Sequence, residues 1–179
     1  MRANAVANRE RILAAAEAVF GEHGAAGSTE DVAQRAGVGI ATVFRHFPTK
    51  SALIEAALIR HFEVLNQQAS ELAASPDARS ALRTLIRTMI ETGSTKLTLA
   101  SLLADGTFPP ALRDASDTLR RTVHDVLTRA ATAGEIRREV SVDEVYLLVR
   151  GLAQACATTP TPRRTLDGAI NIVLTGLSH

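Results

Sequence analysis

The chain has 179 residues, 46% apolar and 3% aromatic, with no tryptophan and a formal net charge of +1. A chain of this length buries roughly 70% of its unfolded surface and needs no metal or disulfide staple. The near-neutral charge gives no strong push toward nucleic acid, so a DNA-binding reading must rest on local geometry.

The single cysteine, Cys156, excludes an internal disulfide and fits a reducing cytoplasm. The opening "MRANAVANRER" lacks the apolar core of a signal peptide. No stretch approaches about 18 uninterrupted apolar residues, so no membrane partner is expected. Strand-favouring aromatics are scarce, which makes helix the expectation throughout.

In chain order, Ile12, Leu13, Ala16, Val19 and Phe20 recur at helical spacing, predicting a helix over 9–23 that Gly21 and Gly24 close. Ser28 followed by Asp31 is a near capping box for a helix over 29–36, ended by Gly37. A second short helix spans about 40–47 and stops at Pro48. Thr49 then caps a long helix over about 50–73. Leu82, Leu85, Ile86, Met89 and Ile90 mark another helix, which "TGSTK" is expected to interrupt before a short helix over 97–103. After "FPP" comes an amphipathic helix over 111–133, closed by Gly134. Ser141 and Glu144 cap the next, and "TTPTP" leads into the last. The expectation is all-α, with about nine helices and no strand.

Residues 28–47 are two short helices joined by a glycine-containing turn, the build of a DNA-reading helix-turn-helix. Its second helix needs apolar anchors inward, here Val38, Val43 and Phe47. Gly39, Ala41, Thr42, Arg45 and His46 then face outward. Ile40 and Phe44 can belong to either side, packing against neighbouring helices or touching DNA.

On "ILAAAEAVFGEHG" and "STEDVAQRAGVGIATVFRHFPTKSALIEA", the chain resembles the TetR/AcrR family of transcriptional regulators over about 9–58. The resemblance implies a three-helix DNA-binding domain (8–54, with the motif at 28–47) joined to a helical ligand-binding and dimerisation domain (55–179). It implies DNA contacts from Thr42, His46 and Lys50, with Ser28 and Thr29 adding a phosphate contact at a helix N-terminus. Arg45 falls at a variable base-facing position, where arginine pairs with guanine. Gly39, Ile40, Ala41 and Phe44 complete the DNA-facing set, Ile40 being suited to a thymine methyl. There are two departures. Phe44 replaces a common tyrosine and removes a hydroxyl. Gly39 replaces a common capping serine, at a cost of about a few tenths of a kcal/mol.

The resemblance also implies a homodimer built on the last two helices, with Tyr146, Val149, Leu152, Ile170, Val173 and Leu174 near the interface. The middle helices would hold a small-molecule effector among Phe62, Leu85, Met89, Leu97, Leu102, Phe108, Leu119 and Val123. Thr92, Arg87 and Asp105 would supply polar contacts there. The function expected is a cytoplasmic homodimeric repressor, released from a palindromic double-stranded operator by its ligand. The alternative is a helical ligand-binding or adaptor protein with a non-functional DNA face.

No enzyme is expected: no nucleophile elbow, P-loop or Rossmann glycine pattern occurs. His23, His46, His61, His124 and His179 show no paired metal-ligand spacing, so no metal or cofactor is expected.

Overall fold

The computed structural model describes residues 2–103 and 109–178. These form eight α-helices: α1 (Arg2–His23), α2 (Thr29–Ala36), α3 (Ile40–His46), α4 (Lys50–Ala73), α5 (Ala78–Ser101), α6 (Pro110–Thr132), α7 (Val142–Thr158) and α8 (Arg163–Leu177). A 3-10 turn, Gly24–Ala26, follows α1. No strand occurs among the described residues. The fold class is all-α as expected.

Two boundaries differ from expectation. α1 starts at Arg2, because alanine and arginine dominate its first turns and both favour helix. α5 runs unbroken through "TGSTK" to Ser101, so the separate helix over 97–103 does not exist. Gly93 is buried within that helix. A Cβ there would lie 2.6 Å from the Ala153 Cβ on α7. Gly93 is therefore a notch for a neighbouring helix, and the helix-breaking cost of glycine is offset by the close approach it permits.

The chain forms two compact units. The first comprises Met1–His61 and Thr95–Leu112, the second Phe62–Ser94 and Arg113–His179.

In the first unit, α1 buries Ile12, Leu13, Ala16, Val19 and Phe20, the stripe read from the sequence. α2 contributes Val32, Ala33 and Ala36, α3 contributes Val43, and α4 contributes Leu53, Ile54, Ala57 and Leu58. Polar links close the set. Arg35 on α2 donates twice to Glu22 on α1, at 2.7 and 2.8 Å. Arg60 on α4 reaches Glu10 at 3.0 Å and Glu17 at 2.6 Å. His61 Nδ1 lies 3.3 Å from the other Glu17 oxygen.

Burial opposes ionisation of Glu17, but hydrogen bonds and charge from His61 and Arg60 outweigh it and hold its carboxyl below the ordinary value. A carboxylate lowered on folding contributes stability above its unfolded pKa and loses it as pH falls through the folded one. Glu17→Gln is therefore expected to cost about 1.5 kcal/mol at pH 7. The gap to wild type should close below about pH 4. Urea unfolding of both proteins across that range checks it.

In the second unit, α5 buries Leu82, Leu85, Ile86, Met89 and Ile90, and α6 buries Leu119, Val123, Val126, Leu127 and Ala130. α7 adds Val145, Val149 and Ala153, and α8 adds Ile170, Leu174 and Leu177. An alternating charge cluster ties α5 to α8. Arg87 meets Asp167 at 2.6 Å, Arg163 meets Glu91 at 2.8 Å, and Arg87 also lies near Glu91. These groups are partly exposed, so they orient the helices more than they stabilise them.

Candidate nucleic-acid interface

The interface is built from α2 upward. Ser28 has extended backbone, and its hydroxyl accepts from the Asp31 N–H at 3.0 Å. The Asp31 carboxylate accepts from both the Ser28 N–H and hydroxyl, at 3.0 and 2.6 Å. Those bonds hold the Asp31 carboxyl below its ordinary value. The capping box read in the sequence is thus complete. It also commits the Ser28 side chain internally, and Thr29 is only 7% exposed. Neither side chain is displayed for a phosphate.

α2 ends at Gly37, whose φ of 65° lies in the left-handed region that glycine adopts without steric cost. The Val38 N–H reaches the Ala33 carbonyl and the Gly37 N–H reaches that of Gln34, both at 3.1 Å, a Schellman closure. The turn redirects the chain into α3. There the Gly39 carbonyl accepts from Thr42 and Val43, and no side chain caps the helix. Nothing lies within 4 Å of a Cβ built at Gly39, so its capping weakness has no steric reason.

α3 is pinned by one fully buried residue, Val43, and by Phe47 just after it. The open question about Ile40 and Phe44 has a geometric answer. They are one turn apart, 36% and 44% exposed, on the outer face with Ala41 and Arg45. Thr42 and His46 are half-buried at the edge of that face. The Arg45 guanidinium leans back only as far as 3.5 Å from the Ala41 carbonyl, a weak contact that leaves it extended toward solvent. Pro48 ends the element, and Thr49 caps α4 by accepting from the Ala52 N–H at 3.0 Å. Lys50, at the start of α4, turns inward. Its ammonium donates to the carbonyls of Gly27 at 2.5 Å and Ala25 at 3.2 Å.

Of the residues expected around an effector, Phe62, Leu85, Met89, Leu119 and Val123 are buried in the second unit. Thr92 and Arg87 are half-buried there, the Thr92 hydroxyl donating to the Thr88 carbonyl and Arg87 paired with Asp167. Leu97 and Leu102 belong to the first unit and are half-buried. Asp105 and Phe108 lie outside the described residues. A separate surface cleft of about 570 Å³ runs along α6 and its following loop, lined by His124, Leu127, Thr128, Arg138 and Val142 among others. None of the expected effector residues lines it.

The dimer residues divide by face. Val149, Ile170 and Leu174 are buried in their own unit, while Tyr146, Leu152 and Val173 are half-buried. Burial pushes the Tyr146 hydroxyl up to about 12, against the opposing pull of Arg120, whose guanidinium sits over its ring. Among the described residues, the large apolar side chains these two helices present to solvent are Leu147, Leu148 and Ile172, at 72%, 42% and 75% exposure. Half of the residues expected at the interface, Val149, Ile170 and Leu174, thus belong to the stripe that faces inward. The available signal was the excess: Ile172 falls two positions from both Ile170 and Leu174, on the opposite side of α8.

A capped helix, a left-handed glycine turn and a short second helix with a polar and apolar outer face define a helix-turn-helix DNA-binding protein. Residues 12–57 match the family described as bacterial regulatory proteins, tetR family. Residues 77–179, more than half the chain, match the C-terminal domain of SbtR-like transcriptional regulators. The chain belongs to the TetR family of transcriptional regulators.

It is 35% identical over 129 residues to the HTH-type transcriptional repressor LfrR of Mycolicibacterium smegmatis. That match spans 69% of this chain and 65%, just under two thirds, of the repressor's length. A TetR transcriptional regulator from Streptomyces coelicolor has a similar structure, with TM-score 0.82 and 32% identity over 95% of this chain and 98% of that one. The structure of LfrR from Mycobacterium smegmatis in complex with proflavine aligns with TM-score 0.69 and 26% identity, over 94% of each chain. Among the described residues, no helix is long and apolar enough to cross a membrane.

Proposed function

We propose that the protein is a homodimeric cytoplasmic repressor that binds a pseudo-palindromic operator and releases it when a small molecule binds the second unit. The observation that carries this is the outer face of α3. Arg45, Ala41, Ile40 and Phe44 are exposed on a helix short enough for a major groove, with Thr42, His46 and Gly39 at its edges. Arg45 is the base-reading residue on this reading. Ile40 and Phe44 offer apolar surface to thymine methyl groups and sugar edges. One such helix makes too few base contacts for useful specificity, and a two-fold dimer doubles them. The proflavine complex of LfrR supports a small-molecule effector for this chain as well. Leu147, Leu148 and Ile172 supply the apolar surface a dimer needs, and they replace the inward-facing Val149, Ile170 and Leu174 as its contacts.

The deciding experiment is a mobility-shift titration of the protein with DNA from upstream of its own coding sequence, at rising salt. A complex that weakens steeply with salt is expected. A protein that forms none is not a DNA-binding repressor, and the adaptor reading would take its place. Arg45→Ala removes one contact per half-site, two per dimer, and is expected to weaken the specific complex by about thirtyfold or more and relax base preference at one position per half-site. Selection of bound duplexes from random sequence, followed by sequencing, measures both.

A further inference from the structure

We propose that Lys50 serves DNA recognition as an internal strap, a positioning residue that sets the start of α2, and does not act as a phosphate ligand. The proposal rests on the DNA-binding reading above. Its carrier is the geometry of one peptide group, Gly27–Ser28, which is held from both sides. The carbonyl of Gly27 accepts the Lys50 ammonium at 2.5 Å. The N–H of Ser28 donates to the Asp31 carboxylate at 3.0 Å.

Three further observations fit the same role. The Lys50 ammonium also reaches the Ala25 carbonyl at 3.2 Å, so it bridges the 3-10 turn between α1 and α2. It stands 5.3 Å from the centre of the Phe20 ring, which is itself fully buried on α1. A cation over an aromatic face is attracted to it, so the remaining side of the ammonium is occupied too. Gly27 is pressed against α1: a Cβ there would meet the Phe20 ring at 3.0 Å and Val19 at 3.1 Å. Gly27 leaves the turn no slack, and Lys50 locks it.

The consequence passes along the chain. The pinned peptide places Ser28, the cap of α2. α2 leads through the Gly37 turn into α3, whose outer face meets DNA. Because Lys50 is itself the first residue of α4, the strap sets the distance between the start of α4 and the start of α2. For the ammonium to meet a phosphate it would have to abandon both carbonyls and the ring.

The test compares full-length wild-type protein with Lys50→Met, which keeps the length of the stem and removes the ammonium. The probe is a duplex selected from random-sequence DNA by the wild type, and binding is measured at 10 °C over a range of salt. Loss of the strap should lower Tm by roughly 5 °C. It should weaken binding about tenfold at a temperature where the variant is fully folded, with the slope of log K against log salt unchanged. A lost phosphate contact in each protomer would instead reduce that slope by about 1.8, and this outcome overturns the proposal. So does an unchanged Tm. Should Lys50→Met fail to fold, the wild type still decides. Acetylation of Lys50 by acetic anhydride, which transfers one acetyl group to the amine and releases acetate, should run about tenfold slower in the folded, DNA-free protein than in urea, as read by mass spectrometry. Equal rates refute the strap. A wild type that selects no duplex defeats the regulator reading, and the labelling and Tm results then judge the strap separately.

Discussion

Ile172→Asp is expected to give a folded monomer whose operator affinity has fallen by roughly a hundredfold or more. Ile172 is 75% exposed on α8, so within one chain the change is a surface substitution costing under about 0.5 kcal/mol. In the proposed dimer a two-fold axis presents the same patch twice. Two carboxylates would then enter the seam close to one another, and burying charge there costs several kcal/mol. A monomer reaches one half-site. It therefore loses half the base contacts and half the phosphate contacts, and its salt slope should halve as well. Sedimentation velocity at micromolar protein, together with a salt-titrated binding assay, checks both parts. Leu147→Asp on α7 should act the same way, since Leu147 is 72% exposed. A dimer that survives both substitutions would move the interface away from these faces.

Gly93→Val is expected to destabilise the second unit by about 3 kcal/mol. Carbon atoms in contact prefer about 3.5–4.0 Å. A Cβ at Gly93 would sit 2.6 Å from the Cβ of Ala153, and valine adds two more methyls to that overlap. α5 and α7 must move apart, and the buried layer beside them, Met89 and Val149 among it, loses contact. The controls are in the same chain. Gly151, Gly168 and Gly176 also lie within helices, yet nothing stands within 4 Å of a Cβ at any of them. Each of them lies four residues from Leu147 or Ile172, on the proposed dimer face, so alanine there is measured in the monomeric Ile172→Asp background, where it should stabilise by about 0.5–1 kcal/mol through helix propensity. Gly93→Ala should destabilise, and Ala153→Gly in the same chain should recover part of the loss, a coupling that distant residues do not show. Urea midpoints at constant m-value measure the series.

The DNA-reading element was legible because its signals act over three to five residues. Ser28 with Asp31, Gly37 in a left-handed turn, Pro48 after α3 and Thr49 before α4 each settle a local backbone choice, and each is where the sequence places it. Val43 and Phe47 were readable as anchors because a seven-residue helix has few positions that can face inward. The apolar stripes of α5 to α8 were equally legible as stripes. What they pack against was not. Periodicity reports which residues share a face and is silent on whether a second apolar face, such as Leu147 with Leu148, is left over.

The sequence by itself determined the all-helical class, the capped helix-turn-helix, and the family resemblance that rests on it. These follow from hydrogen-bond chemistry and steric limits within one or two turns of chain. Only the tertiary structure decided that Gly93 is a notch and not a break, that Lys50 bonds to carbonyls more than twenty residues earlier, and that residues 95–112 belong with the first unit. It also decided that Ile172, and not Ile170, faces outward. Each of those outcomes depends on which distant backbone comes within a few ångströms. No local propensity encodes that distance, because it is set by the joint packing of helices far apart in the chain.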